Sequence, residues 1–157
     1  MSGDRELKRA RELAYRYLAL RDRSQKELRD YFSRKEVPAE AAEAVLDDFI
    51  KAGYIDDRRF AVIYARGLIE RRGLSRYALM MELKRKGVSE GDIEEALEGL
   101  FGEDGYDEDG IALAIARKKA DSMRNLPPDK AKRRLTDYLR RRGFSFEAVR
   151  KAMNGII

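Results

Sequence analysis

The sequence contains no cysteine, no histidine and no tryptophan, and only three prolines in 157 residues. Without cysteine there is no disulfide, no thiolate nucleophile and no cysteine-built zinc site, which fits a reducing compartment. The missing histidine excludes more. It removes the usual neutral-pH general base, the commonest transition-metal ligand and every Ser-His or Cys-His nucleophile pair. Carboxylates, Lys, Ser and Tyr remain for chemistry, and nothing in their spacing makes any pair converge. Neither G-x-x-x-x-G-K-[ST] nor G-x-G-x-x-G occurs, so any ATP dependence belongs to a partner. No stretch approaches 18 uncharged residues, and the segment from Met1 to Leu20 is studded with Arg and Glu. These absences predict a soluble, cytoplasmic, monomeric chain that is not an enzyme and holds no cofactor or metal.

What is abundant is charge. Charged residues make up 40% of the chain beside 43% hydrophobic ones, a balance that supports a packed interior under a highly charged surface. The net charge of +5 is laid out in blocks: 0 over residues 1–56, +6 over 57–89, −10 over 90–116 and +9 over 117–157. The first basic block holds Arg58, Arg59, Arg66, Arg71, Arg72 and Arg76, followed by Lys84-Arg85-Lys86. The second holds Arg117-Lys118-Lys119, Lys130, Lys132-Arg133-Arg134 and Arg140-Arg141-Arg142. Charge that serves only solubility is usually interspersed with the opposite sign, so segregation of this kind argues for a binding face. Arg outnumbers Lys, which favours bidentate contact with phosphates or with an acidic protein surface.

Apolar residues recur at helical spacing: Leu13, Tyr17 and Leu20, then Leu28, Tyr31 and Phe32. Ser24 and Glu27 have the S-x-x-E form of a capping box, which starts a helix near Ser24. A third helix follows Val37-Pro38, with the stripe Ala42, Val45, Leu46, Phe49, and Gly53 ends it. No segment alternates like a strand. The same pattern returns 51 residues later, where the stripe becomes Ile93, Ala96, Leu97, Leu100, and again 56 residues beyond that as Val149, Ala152, Met153, Ile156. Ser89 and Ser145 stand where Pro38 does, each preceded by an apolar residue and a glycine, Gly87 or Gly143. The first copy has Glu36 instead of that glycine and must turn without it. The expected fold is therefore all-α: three tandem three-helix repeats, residues 1–56, 57–109 and 110–157, in an elongated, curved, modular arrangement.

Several residues invite a chemical reading that their setting weakens. Asp104, Asp107, Glu108 and Asp109 miss the alternating spacing of a calcium loop, so Phe101 to Gly110 reads as a solvated linker, as does Asn125 to Asp129 with Pro127-Pro128. Asp56-Asp57 precedes a basic helix and reads as a capping pair. Tyr15, Tyr17, Tyr54, Tyr64 and Tyr77 lie in or beside helical stripes, which favours core packing over base stacking.

Arg21-Asp22-Arg23-Ser24 with Glu27-Leu28, then Gly53-Tyr54-Ile55-Asp56-Asp57-Arg58-Arg59-Phe60-Ala61 with Tyr64 and Arg66, resembles the bacterial RecX family. Gly73, Leu79, Glu82-Leu83 and Lys86-Gly87-Val88 continue the likeness. The resemblance spans nearly the whole chain, most closely residues 14–100. It implies three tandem three-helix units and a regulator that binds RecA filaments on DNA, lodges in their helical groove, and inhibits strand exchange, ATP hydrolysis and co-protease activity. On that reading the basic residues of both blocks meet RecA and filament-bound single- or double-stranded DNA. Three units two helices wide would reach on the order of 60–75 Å in a row. Two other readings fit the residues: a stand-alone, helix-turn-helix-like DNA-binding module, and a helical adaptor for another assembly.

Overall fold

Serine, aspartate and glycine punctuation sets the helix boundaries. Ser24 Oγ accepts the Glu27 N–H at 3.1 Å while Glu27 Oε1 accepts the Ser24 N–H at 3.0 Å, completing the expected capping box. Ser89 and Ser145 cap through the N–H groups of Asp92 and Ala148, and Asp56 through those of Arg58 and Arg59. At the C-terminal ends, Gly53, Gly87 and Gly143 take φ of 82°, 81° and 88°, the left-handed conformation that closes a helix. Glu36, at the equivalent place in the first repeat, adopts φ 56° despite its Cβ.

The computed structural model describes residues 2–156. Among them it contains nine α-helices and no strand: α1 (Ser2–Leu20), α2 (Gln25–Arg34), α3 (Ala39–Lys51), α4 (Asp57–Arg72), α5 (Arg76–Arg85), α6 (Glu90–Phe101), α7 (Glu108–Ala120), α8 (Pro128–Arg141) and α9 (Phe146–Ile156). A 3-10 turn, Asp121–Met123, follows α7. Pro127 precedes α8 and Pro128 occupies its first turn, where a missing N–H leaves no carbonyl unsatisfied.

By packing the chain divides into two compact units, one running up to Ala61 and including Leu83–Ile93, the other comprising Val62–Glu82 and the chain from Glu94 onward. Helices α4, α5 and α6 each contribute to both. The first unit is centred on Ala10, Ala14, Leu28, Phe32, Val45, Leu46 and Phe49, all nearly solvent-free. The second has Ala112, Ala116, Leu135, Leu139, Ala148, Val149, Ala152 and Met153 at its centre. Each fully buried Leu or Phe contributes about 2–3 kcal/mol. Apart from Leu20, the stripes of the first and third repeats face these cores, with Ala42 and Ile156 only half-buried at their margins, and Ile93, Ala96, Leu97 and Leu100 of the second repeat are buried as well.

Three expectations are corrected. Leu20 is 79% exposed, because the buried edge of α1 runs through Ala10 and Ala14 and ends a turn earlier. Tyr15, Tyr54 and Tyr77 are about half exposed rather than in the core; at the rim Tyr54 packs edge-on with Phe49 and with Tyr15, and Tyr15 lies tilted against Phe49. The acidic stretch is also tighter than a solvated linker. Between α6 and α7 only residues 102–107 are non-helical, Asp107 caps α7 through the N–H groups of Asp109 and Gly110, and Asp104 meets Arg66 at 2.7 Å.

Within each compact unit a recurring joint ties consecutive repeats. In the first, Ser24 Oγ donates to the carbonyl of Lys86 at 2.7 Å, and the carboxylate of Asp57 accepts the N–H of Gln25, the first residue of α2, at 2.9 Å. In the second, Ser75 Oγ donates to the carbonyl of Arg142 at 3.0 Å and caps α5 through the Ala78 N–H. There Glu108 takes the part of Asp57, accepting the N–H groups of Ser145 and of Arg76, the first residue of α5. Both serines are fully buried, and one hydroxyl serves as cap acceptor and inter-repeat donor at once. The glycine beside each joint permits the approach. A Cβ on Gly87 would fall 2.5 Å from Lys26 Cβ, and one on Gly143 would fall 3.0 Å from Ser75 Oγ.

Candidate nucleic-acid interface

Positive charge is available for binding only where the protein does not neutralise it. Most of the first basic block is engaged. Arg58 pairs with Asp92 at 3.6 Å and Arg66 with Asp104 at 2.7 Å. Arg59 folds back to bond Asp22 at 3.1 Å and the carbonyls of Gly53 and Tyr54. Lys84 lies 3.9 Å from Glu90. Lys86 Nζ meets Glu27 Oε2 at 3.2 Å, and the same carboxylate takes Arg21 at 2.6 Å. Burial opposes the Glu27 charge, but the Ser24 N–H and these two cations outweigh it and hold its carboxyl below the ordinary value. Arg85 lines the hollow beside this pair, which also contains Arg34, Lys26 and the carboxylates of Glu27 and Asp30.

The second joint is charged differently. Arg71 and Arg72 from the end of α4, Lys118 and Lys119 from α7, and Arg142 after α8 surround a concavity of about 420 Å³, with Ile115, Ser122 and Tyr138 as the rest of its lining. No carboxylate is among them. Arg142 donates to the carbonyl of Arg72 at 3.2 Å, and its guanidinium lies 5.1 Å from the Tyr138 ring centre, with Lys119 Nζ at 4.8 Å. The ring holds both cations without cancelling their charge. A neighbouring hollow shares Lys119, Ser122 and Tyr138 and adds Arg134 and Arg141, with Asp137 as its acid.

Arg76 stays exposed, 5.6 Å from the Phe101 ring. Lys130, Lys132, Arg133 and Arg140 are exposed along α8 outside the basin, Lys132 bordering an apolar hollow with Met123, Leu135, Met153 and Ile156. From the nineteen basic residues of the two blocks, the structure thus gathers Arg71, Arg72, Lys118, Lys119 and Arg142 in one concavity, with Arg134 and Arg141 in the hollow beside it. It adds Tyr138, whose place among these cations is set by the packing of α8 on α7 and has no signal in the charge pattern. Among the described residues, no helix is long and apolar enough to cross a membrane.

An all-helical chain of three-helix repeats, tied serine to carbonyl and carrying at one joint a cationic basin lined by no carboxylate, is a helical repeat protein. Models of the first, second and third three-helix domains of RecX match residues 10–49, 56–97 and 107–153, and the chain belongs to the RecX family. It is similar to the regulatory protein RecX of Amycolatopsis mediterranei (strain U-32), 37% identical over 137 residues that cover 87% of this chain and 77% of that one. It is likewise 35% identical to the regulatory protein RecX of Streptomyces lividans, over 94% of this chain and 79% of the relative. The crystal structure of RecX from Lactobacillus salivarius shares the fold with a TM-score of 0.81 at 17% identity, covering 98% of this chain and 97% of the other. A further crystal structure of regulatory protein RecX gives 0.84 at 23% identity, over 95% and 73% of the two chains.

Proposed function

We propose that the protein regulates RecA recombinase: it binds RecA filaments assembled on DNA and restrains their ATP hydrolysis, strand exchange and co-protease activity, modulating recombinational repair and the SOS response in the cytoplasm. The observation that carries this reading is the match of all three RecX domains in order along one chain. The protein acts by occupancy, not catalysis, and as a monomer. A series of short helical modules presents side chains at intervals along a partner, which suits contact with successive filament subunits. The cationic basin supports contact with phosphate or acidic protein, and such contact weakens as salt screens it.

The test is RecA-dependent ATP hydrolysis on single-stranded DNA, titrated with this protein. The expected outcome is saturable inhibition that weakens between about 50 and 200 mM salt. Absence of inhibition at either salt contradicts the proposal. Reversal of Lys84, Arg85 and Lys86 together is a poor probe, because a carboxylate at position 86 would face Glu27 and open the first joint. Single substitutions at exposed Lys130 or Arg133 probe the third repeat without touching a joint.

A further inference from the structure

The two joints share a serine and a pair of cations, and the side chain that stands between those cations differs, which changes the charge. Ser75 stands 51 residues after Ser24, Arg72 51 after Arg21, and Arg142 56 after Lys86, so the second joint repeats the serine and both cations of the first. Glu27, which binds Arg21 and Lys86 together, has Ala78 as its counterpart. The second joint therefore keeps the cation pair and lacks the acid that bridges it in the first. Two further lysines, Lys118 and Lys119, and Arg71 face the same concavity, and no carboxylate lines it. Leaving like charges together without an acid disfavours the fold unless an anion arrives from outside.

From this contrast we propose that the second joint is an anion site completed by the phosphodiester backbone of a single nucleic acid strand, which supplies there the negative charge that Glu27 supplies in the first joint. A strand fits better than an acidic protein surface for three reasons on the structure. The concavity shares Lys119, Ser122 and Tyr138 with a neighbouring hollow that adds Arg134 and Arg141 beside one acid, Asp137, so the cations extend as a track and not a point. Arginine dominates the track, and its planar fork matches phosphate oxygens. Tyr138 lies among the cations, as in grooves that pass a single strand over an aromatic ring. The proposal deepens the reading as a filament regulator by naming what this joint touches, and it is tested without RecA so that the two can fail separately.

The experiment is fluorescence anisotropy of a fluorescein-labelled 20-residue oligothymidylate with the full chain, at low salt and without recombinase. Binding in the micromolar range is expected, with log K against log salt falling with a slope of about −3.5 for five phosphate contacts. The decisive variant is Ala78→Glu. It places a glutamate three residues after Ser75, completing a capping box like that of Ser24 and Glu27, so thermal stability holds or rises while binding weakens at least tenfold. Wild-type affinity in A78E overturns the proposal, as does absence of binding by the wild-type chain. If A78E loses helix content, the double variant Lys118→Ala, Lys119→Ala serves instead, with about fivefold weaker binding expected and unchanged binding contradicting the site. Polyglutamate of equal charge is expected to bind at least tenfold more weakly; equal binding would reassign the basin to acidic protein. Oligonucleotide binding without inhibition of RecA would remove the filament reading and leave this one standing, and the reverse result would do the opposite.

Discussion

Glu36 holds a left-handed backbone conformation, φ 56°, at the position that Gly87 and Gly143 fill in the other repeats. Such a conformation costs a residue with a Cβ roughly 1 kcal/mol. Glu36→Gly is therefore expected to raise the thermal midpoint by about 2–4 °C, measured by circular dichroism. In the opposite direction, Gly87→Ala combines φ 81° with a Cβ 2.5 Å from Lys26 Cβ, and should destabilise by at least about 2 kcal/mol in urea titration. The turn glycines were legible in the sequence because the need for φ > 0 is local. The role of Arg59 was not, because its acceptors Asp22 and the Gly53 carbonyl are set by the fold and not by neighbouring sequence. Counted among binding residues by charge, Arg59 is fastened to its own chain, and Arg59→Ala should lower stability by about 1 kcal/mol.

Helices and their order were readable from period, caps and repeats, since each of those signals spans a few residues. The joints between repeats were not, because Ser24 reaches Lys86 and Ser75 reaches Arg142 across more than 60 residues. Their carboxylates titrate with opposite consequences. Glu27 has its folded pKa lowered, so its contribution is present above its unfolded pKa of about 4.3 and is lost as pH falls through the folded value. Asp57 and Glu108 are pushed up by burial, so the folded state binds their protons more tightly than the unfolded one, and their contribution falls as pH rises through the raised values. Urea midpoints at pH 7 and at about pH 3 separate these effects. Glu27→Gln should lose about 1–2 kcal/mol at pH 7, with the difference narrowing at acid pH. Asp57→Asn keeps an acceptor for the Gln25 N–H, so it should match or exceed the parent at pH 7 and gain less on acidification.

Across the whole molecule, net charge by sequence block proved an incomplete guide to where charge is available. The block 57–89 carries +6, yet Arg58, Arg59, Arg66, Lys84 and Lys86 meet acids, most of them from other blocks. The block 117–157 carries +9, and its Lys118, Lys119 and Arg142 share a concavity with Arg71 and Arg72 and no acid. A count of charges cannot separate these cases, because pairing depends on which repeat surfaces meet.

The measurement that bears most directly on the account is RecA-dependent ATP hydrolysis on single-stranded DNA, titrated with the intact chain at about 50 and 200 mM salt. The account predicts saturable inhibition at low salt that weakens at the higher concentration. No inhibition at either salt, from a chain shown by circular dichroism to be folded, would contradict it.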